Sequence, residues 1–323
     1  MQTAPSSRPS TPITFPVRSA AAWFGRDLRS DRGWVHRLSP DEIADLDALV
    51  ERTRARGLPF AQMTRDEALL PVLGNTIARW LEAIRHGRGL VLVKGIPVER
   101  YSPDEAAIAY WAIGLHLGKP KPQNKAGDLL GHVRDTGEIA RDPHVRLYKT
   151  TKAQDFHTDG ADIIGLLCLR PAKAGGLSRI VSSVSVMNEV ARRQPDLAPL
   201  LFEDFPWDLT DDRALGAPSA VARFPICRAE DGELSTFFIG WYIRNSQRYP
   251  EVERLSGNQI ALLDLVEEIA NDPDFHLDMD FDPGDIQFLH NATILHARTA
   301  YEDFQEPERK RHLLRLWLTA DRT

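Results

Sequence analysis

Cysteine is nearly absent from this chain of 323 residues: Cys168 and Cys227 are its two, and no C-x-x-C occurs. Two cysteines in a chain this long are not a disulfide framework, and a reducing, cytoplasmic setting is expected. No apolar run approaches the length needed to span a bilayer. The N-terminus has no charged segment leading into an apolar one, so neither membrane association nor secretion is expected. An excess of one charge is also missing. Forty Lys and Arg face 46 Asp and Glu, giving a net charge of −6 with the signs interspersed. That balance speaks against a nucleic-acid partner. There is no G-x-G-x-x-G after a strand and no P-loop, so nucleotide binding has little support. What is left is an ordinary soluble globule, 42% apolar and 27% charged, with length enough for one large domain or two small ones.

The elements follow from local signals. Residues 1–15, rich in Ser, Pro and Thr, read as a mobile tail. Ser39-Pro40-Asp41-Glu42 and Ser102-Pro103-Asp104-Glu105 are capping boxes with proline at the first helical position, and each opens a helix. A third box, Thr64 to Glu67, opens a helical stretch running through Trp80, with Pro71 early in it to delay or kink it. Leu90 to Val93, bounded by glycines, reads as a buried strand. Residues 119–144 are polar and read as a long loop, placed to act as a lid. Beyond it, β-leaning runs over 145–149, 163–169, 178–184, 222–228, 234–244, 275–281, 286–289 and 312–318 are separated by turn signals and by two helices, 186–202 and 258–270. Helices crowd the first third and strands the rest, which fits a mainly β jelly roll with peripheral helices. The division is a helical part over 39–118, the lid over 119–144 and a jelly-roll core over 145–323, all within one catalytic domain over 16–323.

One stretch draws the rest together: Asp155-Phe156-His157-Thr158-Asp159-Gly160. On an extended segment His157 and Asp159 project from one face, since side chains alternate with period two. With a second histidine from elsewhere they would form a 2-His-1-carboxylate triad, which leaves metal positions open and suits non-haem Fe(II) oxygenases. On spacing, either His290 or His296 could supply it. Arg311 and Arg315, in Arg311-His312-Leu313-Leu314-Arg315-Leu316-Trp317, share a strand face with Leu313 between them and Leu314 and Leu316 opposite. Guanidiniums on an inward face are costly without anions, and arginine grips carboxylates with a two-pronged fork, so the pair implies a carboxylate-bearing ligand.

Together these segments resemble the TauD/TfdA family of Fe(II)- and 2-oxoglutarate-dependent dioxygenases, the group that includes clavaminate synthase. The matching pieces are Phe156-His157-Thr158-Asp159, Gly175-Gly176-Leu177-Ser178, Leu295-His296-Ala297-Arg298-Thr299-Ala300, and Arg311 with Arg315, across residues 85–320. The resemblance implies a double-stranded β-helix, a distorted cupin-like jelly roll, in which His157, Asp159 and His296 bind iron. It implies that Arg311 and Ser178 hold 2-oxoglutarate, and that Arg315 meets an acidic group of the substrate. The distance from His296 to Arg311 is longer than in some members, which leaves the division of labour between the two arginines open. The expected reaction consumes O2 and 2-oxoglutarate, oxidises an unactivated C–H bond of a small, acidic substrate, most simply by hydroxylation, and releases succinate and CO2. Desaturation and ring closure stay open. An aspartate at 159 speaks against halogenation, because related halogenases replace this carboxylate. The competing readings are a cupin-type dioxygenase or isomerase without 2-oxoglutarate, and a catalytically silent binding barrel. Gln123 and Asn124 in the lid are candidate substrate contacts, Arg298 a candidate salt-bridge partner for Glu302 or Asp303, and Trp241 to Arg244 a core strand or, as the alternative, a lining of the pocket. Homo-oligomerisation is compatible with the sequence.

Overall fold

The computed structural model describes residues 13–57, 59–124, 126–137, 149–209, 219–230 and 232–320. Residues 1–12 of the expected tail, 138–144 of the expected lid and 145–148 of the strand expected at 145–149 lie outside these. The end of the tail is not loose: the Phe15 ring lies 6.3 Å from that of Phe202.

Among the described residues two sheets face each other. The larger runs in the order β1 (Val35–Arg37), β2 (Leu90–Lys94), β14 (Ile286–His290), β6 (Ile163–Arg170), β17 (His312–Thr319) and β3 (Lys119–Pro120), with β4 (Leu130–Val133) also paired to β17. The smaller is β13 (His276–Met279), β8 (Ser178–Ser182), β15 (Ile294–Arg298) and β5 (Gln154–His157). Three two-stranded pairs flank them: β7 (Ala174–Gly175) with β16 (Tyr301–Glu302), β9 (Asp204–Asp208) with β10 (Val221–Pro225), and β11 (Cys227–Glu230) with β12 (Glu233–Thr236). The helices are α1 (Gly25–Leu28), α2 (Pro40–Arg56), α3 (Leu73–Arg85), α4 (Pro103–Leu117), α5 (Ser183–Arg193), α6 (Gly240–Asn245) and α7 (Gly257–Asn271).

This is the expected jelly roll with helices packed outside it. α2, α3 and α4 cover the outer face of the larger sheet, and α5 and α7 that of the smaller. A third apolar cluster fills the space between the sheets. β17 shows why its sequence reads as it does. Leu314, Leu316 and Leu318 point out under α4, while Leu313 and Trp317 point in. Each leucine buried there is worth roughly 1.5–3 kcal/mol, so a one-residue slip would expose one row and force the arginines outward.

The capping boxes at Ser39 and Ser102 form in full. Thr64 to Glu67 does not open its helix. Glu67 accepts the Thr64 N–H and an Arg56 N–H, but α3 begins after Pro71, where Asp45 of α2 accepts the N–H groups of Val72 and Leu73. A cap supplied by another helix leaves no local sequence signal. The stretch 234–244 is not one strand: β12 ends at Thr236 and Trp241 to Arg244 lie in α6. Residues 119–144 are not an unbroken loop either, because β3 and β4 within them extend the larger sheet along β17.

Candidate metal centre and anion pocket

The centre is built where the smaller sheet ends. His157 closes β5, His296 lies in β15, and the two residues pair directly across the strands. Their rings are 4.3 Å apart, centre to centre. Asp159 follows β5 by two residues and is fixed by a buried asparagine. Asn291 accepts the Asp159 N–H at 2.8 Å and donates to the carbonyls of Asp159 and Ala161 at 2.6 and 2.7 Å. One carboxylate oxygen of Asp159 lies 3.9 Å from His157 Nε2, and the other 3.6 Å from His296 Nε2. One ligand atom from each of the three residues falls within 4.8 Å of the others, a donor set of two imidazoles and one carboxylate able to hold a divalent ion. His290 is not part of it; its Nδ1 faces the Thr293 hydroxyl at 3.2 Å.

The groups behind these ligands set their state. His157 Nδ1 lies 2.8 Å from the carbonyl of Asp155, so it carries the proton and leaves Nε2 as the lone pair. Burial, reinforced by the neighbouring His296, holds His157 neutral, with its pKa down at about 3. Burial alone would raise the pKa of Asp159. The Arg315 guanidinium, 3.6 Å away, and the two imidazoles outweigh it and hold the carboxylate ionised. Trp317 donates its indole N–H to the same carboxylate at 3.0 Å.

Arg311, Arg315 and Ser178 line one pocket with the three candidate ligands. Arg311 is 5% exposed. Its Nη1 is buried with no hydrogen-bond partner among the described residues, and burial depresses its pKa. A cation left short of partners in this way is what a bound carboxylate would satisfy. Ser178 Oγ lies 3.2 and 3.1 Å from the amide oxygen and nitrogen of Gln287, a buried residue that anchors it. The double-glycine turn before Ser178 has a backbone reason. Gly175 and Gly176 adopt φ of +74° and +72°, and a Cβ at Gly176 would come within 3.3 Å of Arg311 Nε.

Two expectations are corrected. Gln123 is buried and turned away from the pocket: it accepts from Arg315 Nε at 2.7 Å and donates to the Arg315 carbonyl at 2.8 Å. Its amide is therefore committed to Arg315. The Asn124 side chain is used inside its own turn, with Ala126, Asp128 and the Asp128 carboxylate. Arg298 does not bridge to Glu302, which pairs with Lys173. Its guanidinium donates to the carbonyl of Thr150 at 2.8 Å and to that of Lys152, and stacks on Tyr301. The residues that sequence reasoning passed over are Gln154, Gln287, Asn291 and Trp317. Trp317 alone carried a readable signal, because it continues the 311, 313, 315 face of β17.

A jelly roll carrying this triad beside a cationic pocket defines a non-haem metal oxygenase. The chain belongs to the family described as taurine catabolism dioxygenase TauD, TfdA family, whose model matches residues 55–317. It is thus a 2-oxoglutarate-dependent non-haem iron dioxygenase. The chain is 30% identical to FR-33289 synthase of Streptomyces rubellomurinus, over 95% of this chain and 91% of that protein. It is 29% identical to a taurine hydroxylase-like protein of Stachybotrys chartarum, over 91% and 77%. Among solved structures, asparagine oxygenase in complex with Fe(II), 3-hydroxyasparagine and succinate superposes with a TM-score of 0.68 at 13% identity, covering 88% of this chain and 93% of that one. The non-haem iron oxygenase OrfP with Fe and α-ketoglutaric acid does so with a TM-score of 0.65 at 15% identity, covering 89% and 94%. Among the described residues no helix is long and apolar enough to cross a membrane.

Proposed function

We propose that His157, Asp159 and His296 hold Fe(II), that Arg311 and Ser178 hold 2-oxoglutarate, and that Arg315 receives an anionic group of a small organic substrate, one of whose unactivated C–H bonds is hydroxylated. Iron, when bound, supplies the activation of O2 that breaking such a bond requires. The chain's own residues do the rest. Asp155 and Trp317 orient two of the ligands, Gln287 sets the Ser178 hydroxyl, and Gln123 fixes the Arg315 side chain. The apolar cluster between the sheets keeps bulk water from the reacting centre. The observation that carries the reading is the buried, partner-short Nη1 of Arg311 in the same pocket as the triad.

The solved relatives lend support to a carboxylate-bearing substrate, since asparagine oxygenase is held with hydroxyasparagine and OrfP with hydroxyarginine. The two buried free cysteines suit a reducing cytoplasm. Anaerobic titration of the metal-free protein with Fe(II) and then 2-oxoglutarate tests the proposal: a weak visible charge-transfer band is expected. Its absence would remove 2-oxoglutarate from the site and favour a cupin-type oxygenase or isomerase, for which the arginine pair has no use.

A further inference from the structure

His296 and Arg311 are further apart in sequence than in some members of the family, and the structure shows how that extra length is held. β16 ends at Glu302 and β17 starts at His312. Between them the chain makes one 3-10 turn, Pro307–Arg309. Asp303, at the start of this excursion, accepts the N–H of Arg311, at its end, at 2.8 Å. The same oxygen, Oδ1, also accepts the Phe304 N–H at 3.1 Å. The loop is thus closed on one carboxylate atom, and what that atom grips is the backbone of the arginine assigned to the cosubstrate. Arg311 directly precedes β17, so this bond sets where its side chain enters the pocket. The other oxygen has different surroundings. Asp303 Oδ2 is buried with no hydrogen-bond partner among the described residues, and so are the Tyr301 hydroxyl and Arg311 Nη1. Arg309 in the same loop does not neutralise it, being turned onto the Phe304 ring and paired with Glu306. The charge of Asp303 acts on Arg311 through space and favours its cationic form. Part of the field that would draw an anion to Arg311 is cancelled in the same way.

We propose that Asp303 is a positioning residue with two opposed effects on Arg311: its Oδ1 fixes the backbone that places the guanidinium, while its charge loosens the hold of that guanidinium on a bound carboxylate. This rests on the assignment of Arg311 to 2-oxoglutarate. Succinate keeps the distal carboxylate of 2-oxoglutarate, so the loosening acts on cosubstrate and product alike. A site that gripped this group with an uncompensated arginine would hold the product as firmly as the cosubstrate. The built-in counter-charge gives up some affinity and speeds the exit of succinate.

The test is calorimetric titration of the Mn(II)-loaded protein, wild type, Asp303→Asn and Asp303→Ala, with 2-oxoglutarate and, separately, with succinate. Asparagine keeps the oxygen that accepts the Arg311 N–H and removes the charge. Asp303→Asn should therefore bind both ligands about three- to tenfold more tightly, and by the same factor, since the distal carboxylate is common to them. Stopped-flow dissociation of succinate should slow correspondingly. Asp303→Ala removes the charge and the acceptor together, and should bind both ligands about three- to tenfold more weakly than Asp303→Asn does. A residue that only supports the loop would weaken binding in every variant. Binding that is unchanged or weaker in Asp303→Asn overturns the counter-charge. Binding in Asp303→Ala as tight as in Asp303→Asn overturns the backbone tether. If Asp303→Asn does not fold, Asp303→Ser, also neutral and able to accept the N–H, decides by the same sign. A Mn(II)-loaded wild type that binds neither ligand overturns the assignment of Arg311 itself, and this inference with it.

Discussion

Replacing Arg311 by methionine should separate ligand binding from stability in opposite directions. The guanidinium is 5% exposed, its Nη1 has no hydrogen-bond partner among the described residues, and burial depresses its pKa. Each observation says that the ligand-free protein gains little from this charge. Part of the cost is offset by the stacking of the guanidinium over Tyr301, 5.1 Å from the ring centre, worth about 0.5–2 kcal/mol, and by the Tyr301 hydroxyl and Asp303 nearby, which do not outweigh burial. Desolvating a cation this short of partners costs at least as much. Methionine fills a similar volume and needs no partner. The melting temperature of metal-free Arg311→Met should therefore match that of wild type or exceed it by a few degrees, at about 2–4 °C per kcal/mol for a chain of this size. Binding of 2-oxoglutarate should collapse. Truncating one partner of a buried, hydrogen-bonded charge pair costs about 2–5 kcal/mol, or roughly 30- to 4,000-fold in Kd. Calorimetric titration of the Mn(II)-loaded variant, beside a melting curve of the metal-free one, reads both quantities. A Kd within about threefold of wild type would refute the assignment of Arg311 to the cosubstrate. A large loss of melting temperature with Kd intact would make it a structural cation.

Trp317→Phe keeps an aromatic ring but removes the indole N–H that holds the Asp159 carboxylate; Mn(II) affinity should fall about 10-fold or more, and an unchanged affinity would mean that Arg315 and the Asn291-held backbone place the carboxylate without it. Gly175→Ala should destabilise more than Gly176→Ala in thermal melting. Both sit at positive φ, but the Cβ at 175 would meet the Ala300 carbonyl at 2.4 Å, whereas the one at 176 meets Arg311 and Tyr301 side-chain atoms at 3.3 Å; Gly176→Ala should instead weaken 2-oxoglutarate binding. Burial, with His132 and Arg170 adding to it, lowers His312 to about 4, and burial with His296 lowers His157 to about 3. Both histidines titrate near 6.5 when unfolded, so below that pH the unfolded chain takes up protons that the folded one refuses. The stability they contribute is present above about pH 6.5 and lost as pH falls toward 4. The melting temperature of the metal-free protein should drop over that range, and less steeply in His312→Asn.

Read by itself, the chain determined the features that rest on short-range periodicity and on the chemistry of residue types. His157-x-Asp159, the Arg311/Arg315 face of β17 with its leucines opposite, and the helix starts at Ser39 and Ser102 are all visible in a few consecutive residues, because strand alternation and capping are local. The choice of His296 over His290 needed the family resemblance, since both follow apolar residues of a strand. Tertiary structure alone decided what depends on a distant partner. Asp45 starts α3 from another helix, and β17 recruits β4 out of a polar loop. The amide of Gln123, read as a substrate contact, turns to Arg315, which lies 192 positions away. Trp241 to Arg244 has strand-forming residues but coils into α6, where Trp241 packs 5.2 Å from the His157 ring. The bulge that brings Gln154 to His157 exists only in the pairing of β5 with β15. A register is a relation between two strands, and neither strand carries it alone.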